Sequence, residues 1–257
     1  MAAENRAADL TIAAGTVAAV LAAWWLLTAT QLIPPTRFPS PAEVWAALRQ
    51  VALTGYADAR LHAHVLHSVW LVLMGFAVAV ATGVPLGLAM GASRKVEALV
   101  NPAFLLIRPI PPLAWIPLAI VWLGLGDAAK VLVIWFAAFV PSVINSYAGV
   151  RSLERHVIEA ARMLGIRRSM MVREVLIPGA APHIFTGLRL SLQACWTTLV
   201  AGELIGAAAG LGRVLAQGAL DLFPAMILVG MVLVALSGGI MTWALGRLEV
   251  LAMPWRR

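Results

Sequence analysis

The residues able to carry chemistry are few in this chain of 257: 12 Asp and Glu, 5 His and a single cysteine, Cys195. His62, His64 and His67 form the densest cluster. The pattern H-x-H-x-x-H could hold a metal ion, with His64 and His67 on one face of a helix. However, no carboxylate lies between them, and the position suits the interfacial start of a spanning helix. No Ser-His-Asp or HExxH arrangement is legible, and one thiol can build neither a disulfide nor a thiolate cluster. Most acids stand at the ends of apolar runs. Glu203 instead follows such a run, where an acid at the bilayer centre costs roughly 2.5–3.5 kcal/mol. It reads as a structural or gating acid paired with Arg189 or Arg213. Arg108 opens Arg108-Pro109-Ile110-Pro111-Pro112, a cation with three prolines in an otherwise apolar stretch. It either snorkels to the headgroups or lines a cavity. Near Glu203, the residues Gln193, Trp196, Thr197 and Thr198 are uncharged hydrogen-bonding groups that could face a path through the protein or pack helices together.

These residues sit in a chain that is 61% hydrophobic and 12% charged, with a mean hydropathy of +0.89. A soluble domain needs roughly a quarter charged residues to cover its surface, so lipid must replace the missing polar surface. The net charge of +7 does not indicate nucleic acid, because the basic residues lie between apolar runs and not on one soluble face. Taking about 20 apolar residues per span predicts an all-α, polytopic membrane protein with six transmembrane helices. They fall at about 12–33, 65–91, 98–124, 130–148, 180–205 and 223–246, in a single domain covering 1–257. Residues 10–36 carry no formal charge, too long a run for a signal peptide, which predicts a retained first span. The prolines after Arg108 must break or bend the third span. An external loop, 34–62, carries a short helix capped by Ser40 with Pro41 and Glu43 behind it. Trp24, Trp25 and Trp255 are headgroup anchors.

Orientation follows from the basic residues. With the N-terminus inside, the cytoplasmic segments hold most of the Lys and Arg, while the opposite side holds Arg37, Arg49, Arg60, Lys130 and Arg213. Positive-inside sorting then predicts both termini in the cytoplasm. The longest basic segment, 151–178, alternates six arginines and three glutamates with apolar residues. It predicts two short amphipathic helices joined where Gly165 ends the first in a left-handed cap. Such a segment can lie on anionic lipid or dock a protein partner.

Glu159-Ala160-Ala161, three residues, Gly165, nine residues and Val175-Leu176-Ile177-Pro178 resemble the EAA loop of ATP-binding-cassette importer permeases. Residues 108–135, 177–196 and 201–212 are similar to the nitrate/sulfonate/taurine branch of that family. Residues 29–44, 53–68 and 253–255 are most similar to its taurine members. The resemblance runs from about Trp24 to Trp255 and implies a type I importer permease (MetI-like) fold in the cell inner membrane. It implies as partners a cytoplasmic ATPase dimer, a second and identical permease subunit, and an external substrate-binding protein, with no nucleic acid. It makes 151–178 the coupling loop, with Glu159, Ala160, Ala161 and Gly165 as ATPase contacts. The candidate path residues are Arg108, Gln193, Trp196, Thr197, Thr198 and Glu203. The implied cargo is taurine or another sulfonate, with nitrate, bicarbonate or another small organic solute as alternatives. No G-x-x-x-x-G-K-[ST] phosphate loop is present, so ATP and magnesium belong to the partner ATPase. A membrane-embedded enzyme is the remote alternative, and no catalytic, cofactor or metal residue is expected.

Overall fold

A computed structural model describes residues 2–30, 34 and 37–256, and its regular elements among these residues are all helical. The order is α1 (Ala2–Ala29), α2 (Pro41–Leu53), α3 (Leu61–Ala92), α4 (Arg94–Ile107), α5 (Ile116–Leu123) and α6 (Asp127–Arg151). There follow α7 (Arg155–Met163), the single turn α8 (Arg168–Met170), α9 (Ile177–Gly206), α10 (Leu211–Leu220) and α11 (Pro224–Ala252). Among the described residues, five helical stretches are long and apolar enough to cross a bilayer. A sixth crossing results if α4 and the segment Pro112–Leu123 count as one span, bent by 84°. The break lies at Arg108 and the prolines behind it, where missing backbone donors stop the helix.

The centre is a three-helix unit of α3, α6 and α9, and small residues explain why these helices meet. A Cβ added at Gly75, Gly83, Gly87 or Gly91 of α3 would lie 2.4–2.9 Å from Ile134, Ser142, Val143 or Val150 of α6. These positions recur at multiples of four, so one stripe of α3 lets the two backbones approach. On α6 and α9, Gly149 sits against Ala180 and His183, and Gly187 against Asn145. These contacts pair the end of α6 with the start of α9, so the two helices are antiparallel. Ser142 and Ser191 share a hydrogen bond of 2.9 Å, and Ser191 donates to the Ala138 carbonyl at 2.8 Å. Leu71, Ile134, Leu192, Cys195 and Leu199 fill the core between them.

The remaining helices line this unit. In α2 the Ser40 hydroxyl accepts from Glu43 N–H at 3.3 Å, and Glu43 accepts from Ser40 N–H at 2.7 Å, a complete capping box. Ala47 and Val51 then pack on Val214, Met226 and Val229 of α10 and α11. No residue of the apolar stretch Thr11–Ala29 is buried. Helix α1 is tied to the rest by Trp24, whose indole N–H donates to the Pro39 carbonyl at 3.0 Å. Trp24 therefore anchors chain to chain as well as standing near a helix end. The expected edge of the first span, residues 31–33, lies outside the described residues.

Candidate functional site

The segment after α6 departs from the expected knob of two short helices. Helix α7 is separate, but α8 continues through a π-helical turn, Met171–Leu176, straight into α9. In that turn Ile177 N–H donates to Val172 O, five residues back. The wider turn admits Pro178, which has no donor of its own. Gly165 ends α7 at φ +71°. Its N–H donates to Arg162 O at 3.0 Å and Ile166 N–H to Ala161 O at 3.5 Å, the two bonds of a Schellman cap.

The four motif residues do not share one surface. Glu159, Ala160 and Gly165 are exposed, whereas Ala161 is 6% exposed and turned onto the chain itself. Ala161 therefore packs α7 onto the rest of the chain. Beyond Gly165's own position lies open space, and Met163 and Leu164 beside it are 86% and 80% exposed. The tip of this segment is thus apolar and uncovered.

At the opposite end of α9 stands a closed polar knot. Glu203 is 1% exposed and accepts from Ser68 Oγ at 2.8 Å and from Gly212 N–H at 2.7 Å. Leu211 N–H donates to Ser68 Oγ at 2.8 Å, and Gly210 N–H to His64 Nδ1 at 3.0 Å. The Gly210, Leu211 and Gly212 donors at the start of α10 are therefore met by side chains from α3 and α9. With Nδ1 accepting, the His64 ring must carry its proton on Nε2 and donate to Tyr56 O at 2.8 Å. A Cβ at Gly210 would lie 2.2 Å from Glu203 Oε1, and one at Gly212 2.5 Å from its Cβ. Only glycine admits the carboxylate here. The expected partners of Glu203 are corrected: Arg189 pairs with Glu249, and Arg213 with Asp58 at 3.3 Å. Both cations are held by acids nearer the protein surface, and hydrogen-bond donors stabilise the buried acid instead.

A separate groove runs between α9 and α11, with a volume of about 700 Å³. Arg189, Gln193, Trp196 and Thr197 line one wall and Gly238, Gly239 and Thr242 the other. The structure thus brings together three of the predicted path residues, Gln193, Trp196 and Thr197, and separates them from the other three. Thr198 points inward, 4% exposed, to a small cavity beside Lys130 and Gly202. Glu203 belongs to the knot. Arg108 is exposed at the break of the third span, in a different hollow with Asn101, Phe104 and Tyr147. The three clustered histidines also divide: His64 joins the knot, and His67 lies 3.4 Å from Asp127, which also pairs with Lys130 at 3.0 Å.

Residues 83–249 match the family described as binding-protein-dependent transport system inner membrane component. The chain belongs to this family. It is 37% identical, over 96% of its length and 90% of the relative's, to the taurine transport system permease protein TauC of Escherichia coli (strain K12). It is 31% identical to the putative aliphatic sulfonates transport permease protein SsuC of the same organism, over 92% and 88% of the two chains. It is 28% identical to the nitrate import permease protein NrtB of Synechocystis, over 93% and 87%. Among solved structures, an inward-facing form of the MetNI methionine ABC transporter superposes with a TM-score of 0.56. That likeness covers 80% of this chain and 99% of the other at 20% identity, and bears on the fold alone. The chain is accordingly the permease subunit of an ATP-binding-cassette importer, with the all-helical fold of such permeases.

For this permease, sequence reasoning overlooked Ser68, His64 in its knot role, Gly210 and Gly212, and the Arg189–Glu249 pair. The signal for the glycines was present as Gly210-x-Gly212 shortly after an intramembrane acid. Nothing along the chain marks Ser68 as the partner of Glu203, because 135 residues separate them.

Proposed function

We propose that this permease carries taurine or another small sulfonate into the cell, working with a cytoplasmic ATPase pair, an identical second permease and an external binding protein. The observation that carries the cargo is the 37% identity to a taurine permease along nearly the whole chain. The sulfonate-permease likeness at 31% favours the same chemical class. In this reading α7 faces the cytoplasm with both termini, in keeping with the arginine-rich segment 151–178. The ATPase, carrying ATP and magnesium, then meets Glu159, Ala160 and the exposed tip at Met163, Leu164 and Gly165. Closure of the ATPases pushes α7, and because α8 runs without interruption into α9, the push reaches the span lining the groove. Gln193, Trp196 and Thr197 supply its uncharged hydrogen-bond partners. They lie on a face that would be unfavourable against lipid, which suits a water-filled path completed by the second copy. Substrate choice rests mainly with the binding protein.

Two measurements test this. Reconstituted with its ATPase and binding protein, the permease should accumulate radiolabelled taurine on ATP addition; accumulation of nitrate but not of any sulfonate would overturn the cargo. Gly165→Asp should abolish uptake and binding-protein-stimulated ATP hydrolysis while leaving membrane insertion intact, because a side chain at φ +71° distorts the tip. Normal uptake by that variant would remove α7 from the coupling role.

A further inference from the structure

Arg108 is the only formal charge between residues 98 and 126, and its depth follows from its neighbours on α6. Tyr147 Oη donates to Glu97, and the Phe104 and Phe139 rings meet edge to face at 6.4 Å, so α4 runs antiparallel to α6. Phe139 is the middle residue of the 25 in α6, and Arg108 follows Phe104 by one helical turn. The arginine thus stems from the middle of the membrane. Half of a hydrocarbon core of about 30 Å is farther than one side chain reaches, so Arg108 does not snorkel to the headgroups. It is exposed, and neither Arg108 nor Asn101 has a hydrogen-bond or ion-pair partner among the described residues. The two stand seven residues apart on one face of α4 and line a hollow of about 250 Å³ against Val143, Ile144 and Tyr147 of α6. The backbone is open there as well. Pro109 has no N–H to give to Leu105 O, and Ile110 N–H turns to Ile107 O at 3.1 Å and not to Leu106 O. A bare cation and carbonyls without their helical donors are too costly at this depth against lipid chains, and belong where a chain lines a watery cavity.

We propose that Arg108 and Asn101 form a subsite that binds the sulfonate group of the cargo midway across the membrane. The inference rests on the sulfonate reading and names the charge in this chain that meets the anion. A guanidinium presents two parallel N–H donors to two oxygens of one sulfonate, and the Asn101 amide has donors for the third. Because Arg108 keeps no internal partner, the anion displaces only water. Arg189, by contrast, already holds Glu249. The rest of the hollow's lining is uncharged, so nothing in it repels an anion. The acid next along α4, Glu97, lies three turns away and is held by Tyr147 and Arg151. Phe104, Leu105 and Ile144 give the remainder of the hollow an apolar wall, which suits the short carbon skeleton of a small sulfonate.

The test places one reporter thiol beside the pair. In a Cys195→Ala background, Leu105→Cys stands in the wall of the hollow between Asn101 and Arg108, at a position 52% exposed. The reconstituted importer is treated with two membrane-impermeant thiol reagents of similar length, one ending in an ethylsulfonate and the other in a quaternary ammonium. Each rate is taken relative to that of a free thiol in water. The sulfonate reagent should react about tenfold or more faster, the scale on which a charged cleft concentrates ions of opposite sign, and taurine transport should slow it. Arg108→Gln should erase the preference, as should Asn101→Asp, which sets a carboxylate on the same face as the guanidinium; Arg108→Lys should keep it. No reaction with either reagent would put the hollow against lipid and overturn the proposal. Equal rates, a preference that Arg108→Gln and Asn101→Asp leave intact, or a rate that taurine transport does not change would overturn it too. Accumulation of radiolabelled taurine by the unaltered importer separates the two failures: if it persists while the preference is absent, the sulfonate reading stands and this subsite falls, and if no sulfonate accumulates, the reading itself has failed.

Discussion

Helix α9 carries polar groups in two settings, one enclosed and one open, and they have opposite fates. In the enclosed setting, Ser191 and, at the far end of the helix, Glu203 meet partners on α3, α6 and α10 at 2.7–2.9 Å. In the open setting, Arg189, Gln193 and Thr197 are exposed to a groove, and Trp196 keeps an unpaired donor. A buried polar group that is fully met stiffens its surroundings, whereas one left open at the edge of a cavity is available to a passing solute. Polarity in a span is therefore not by itself a mark of the transport path. Satisfaction is what separates the two settings.

The comparison breaks most visibly at Glu203. Glu203→Leu leaves Gly212 N–H and the Ser68 hydroxyl proton buried without an acceptor, at roughly 1–3 kcal/mol each. Thermal unfolding in detergent should show a loss of about 3 kcal/mol, while Glu203→Gln, which keeps one carbonyl oxygen, should lose less. Gln193→Ala in the open groove should move stability by no more than about 0.5 kcal/mol and yet lower uptake severalfold. If instead Gln193→Ala unfolds the protein and Glu203→Leu only slows uptake, the assignment of the two settings is reversed.

A smaller effect sharpens the edge of the knot, where the loop after α2 is tied to the end of α10. Tyr56 Oη donates to Asp221, and Gln217 Nε2 donates to the same carboxylate. These bonds hold the Asp221 carboxyl below its usual range, while burial first and Asp221 second push the Tyr56 hydroxyl up. A lowered carboxylate contributes stability above its unfolded value of about 3.9 and loses that contribution as pH falls through the lower folded value. Tyr56→Phe should thus lower the thermal midpoint slightly near neutral pH, with the difference from the unaltered protein narrowing as pH drops below about 4.

How much of this was readable along the chain follows the range of each interaction. The Ser40 cap of α2, the break at Arg108 and the left-handed cap at Gly165 are local, fixed by residues within a few positions of each other, and are legible in the sequence. The apolar runs likewise disclose the spans. The surroundings of α9 are different: Thr197 and Thr198 are chemically identical neighbours, and only the packing of α5 and α6 decides that Thr198 is enclosed. The glycine stripe of α3 was overlooked because glycine spacing means close approach only once a partner helix is known. The pairing of Glu203 with distant arginines was a charge argument. In a buried site, the Ser68 hydroxyl and the Gly212 N–H of one glycine-lined turn outcompete it by proximity.

Those two threonines allow the most direct test. With the buried native thiol removed by Cys195→Ala, Thr197→Cys and Thr198→Cys place a single thiol on either face, and each can be probed with a membrane-impermeant thiol reagent in the reconstituted importer. The account predicts rapid labelling at 197 that slows when taurine is being transported, and little labelling at 198 under either condition. Equal labelling of the two positions, or labelling at 198 that transport alone suppresses, would contradict it.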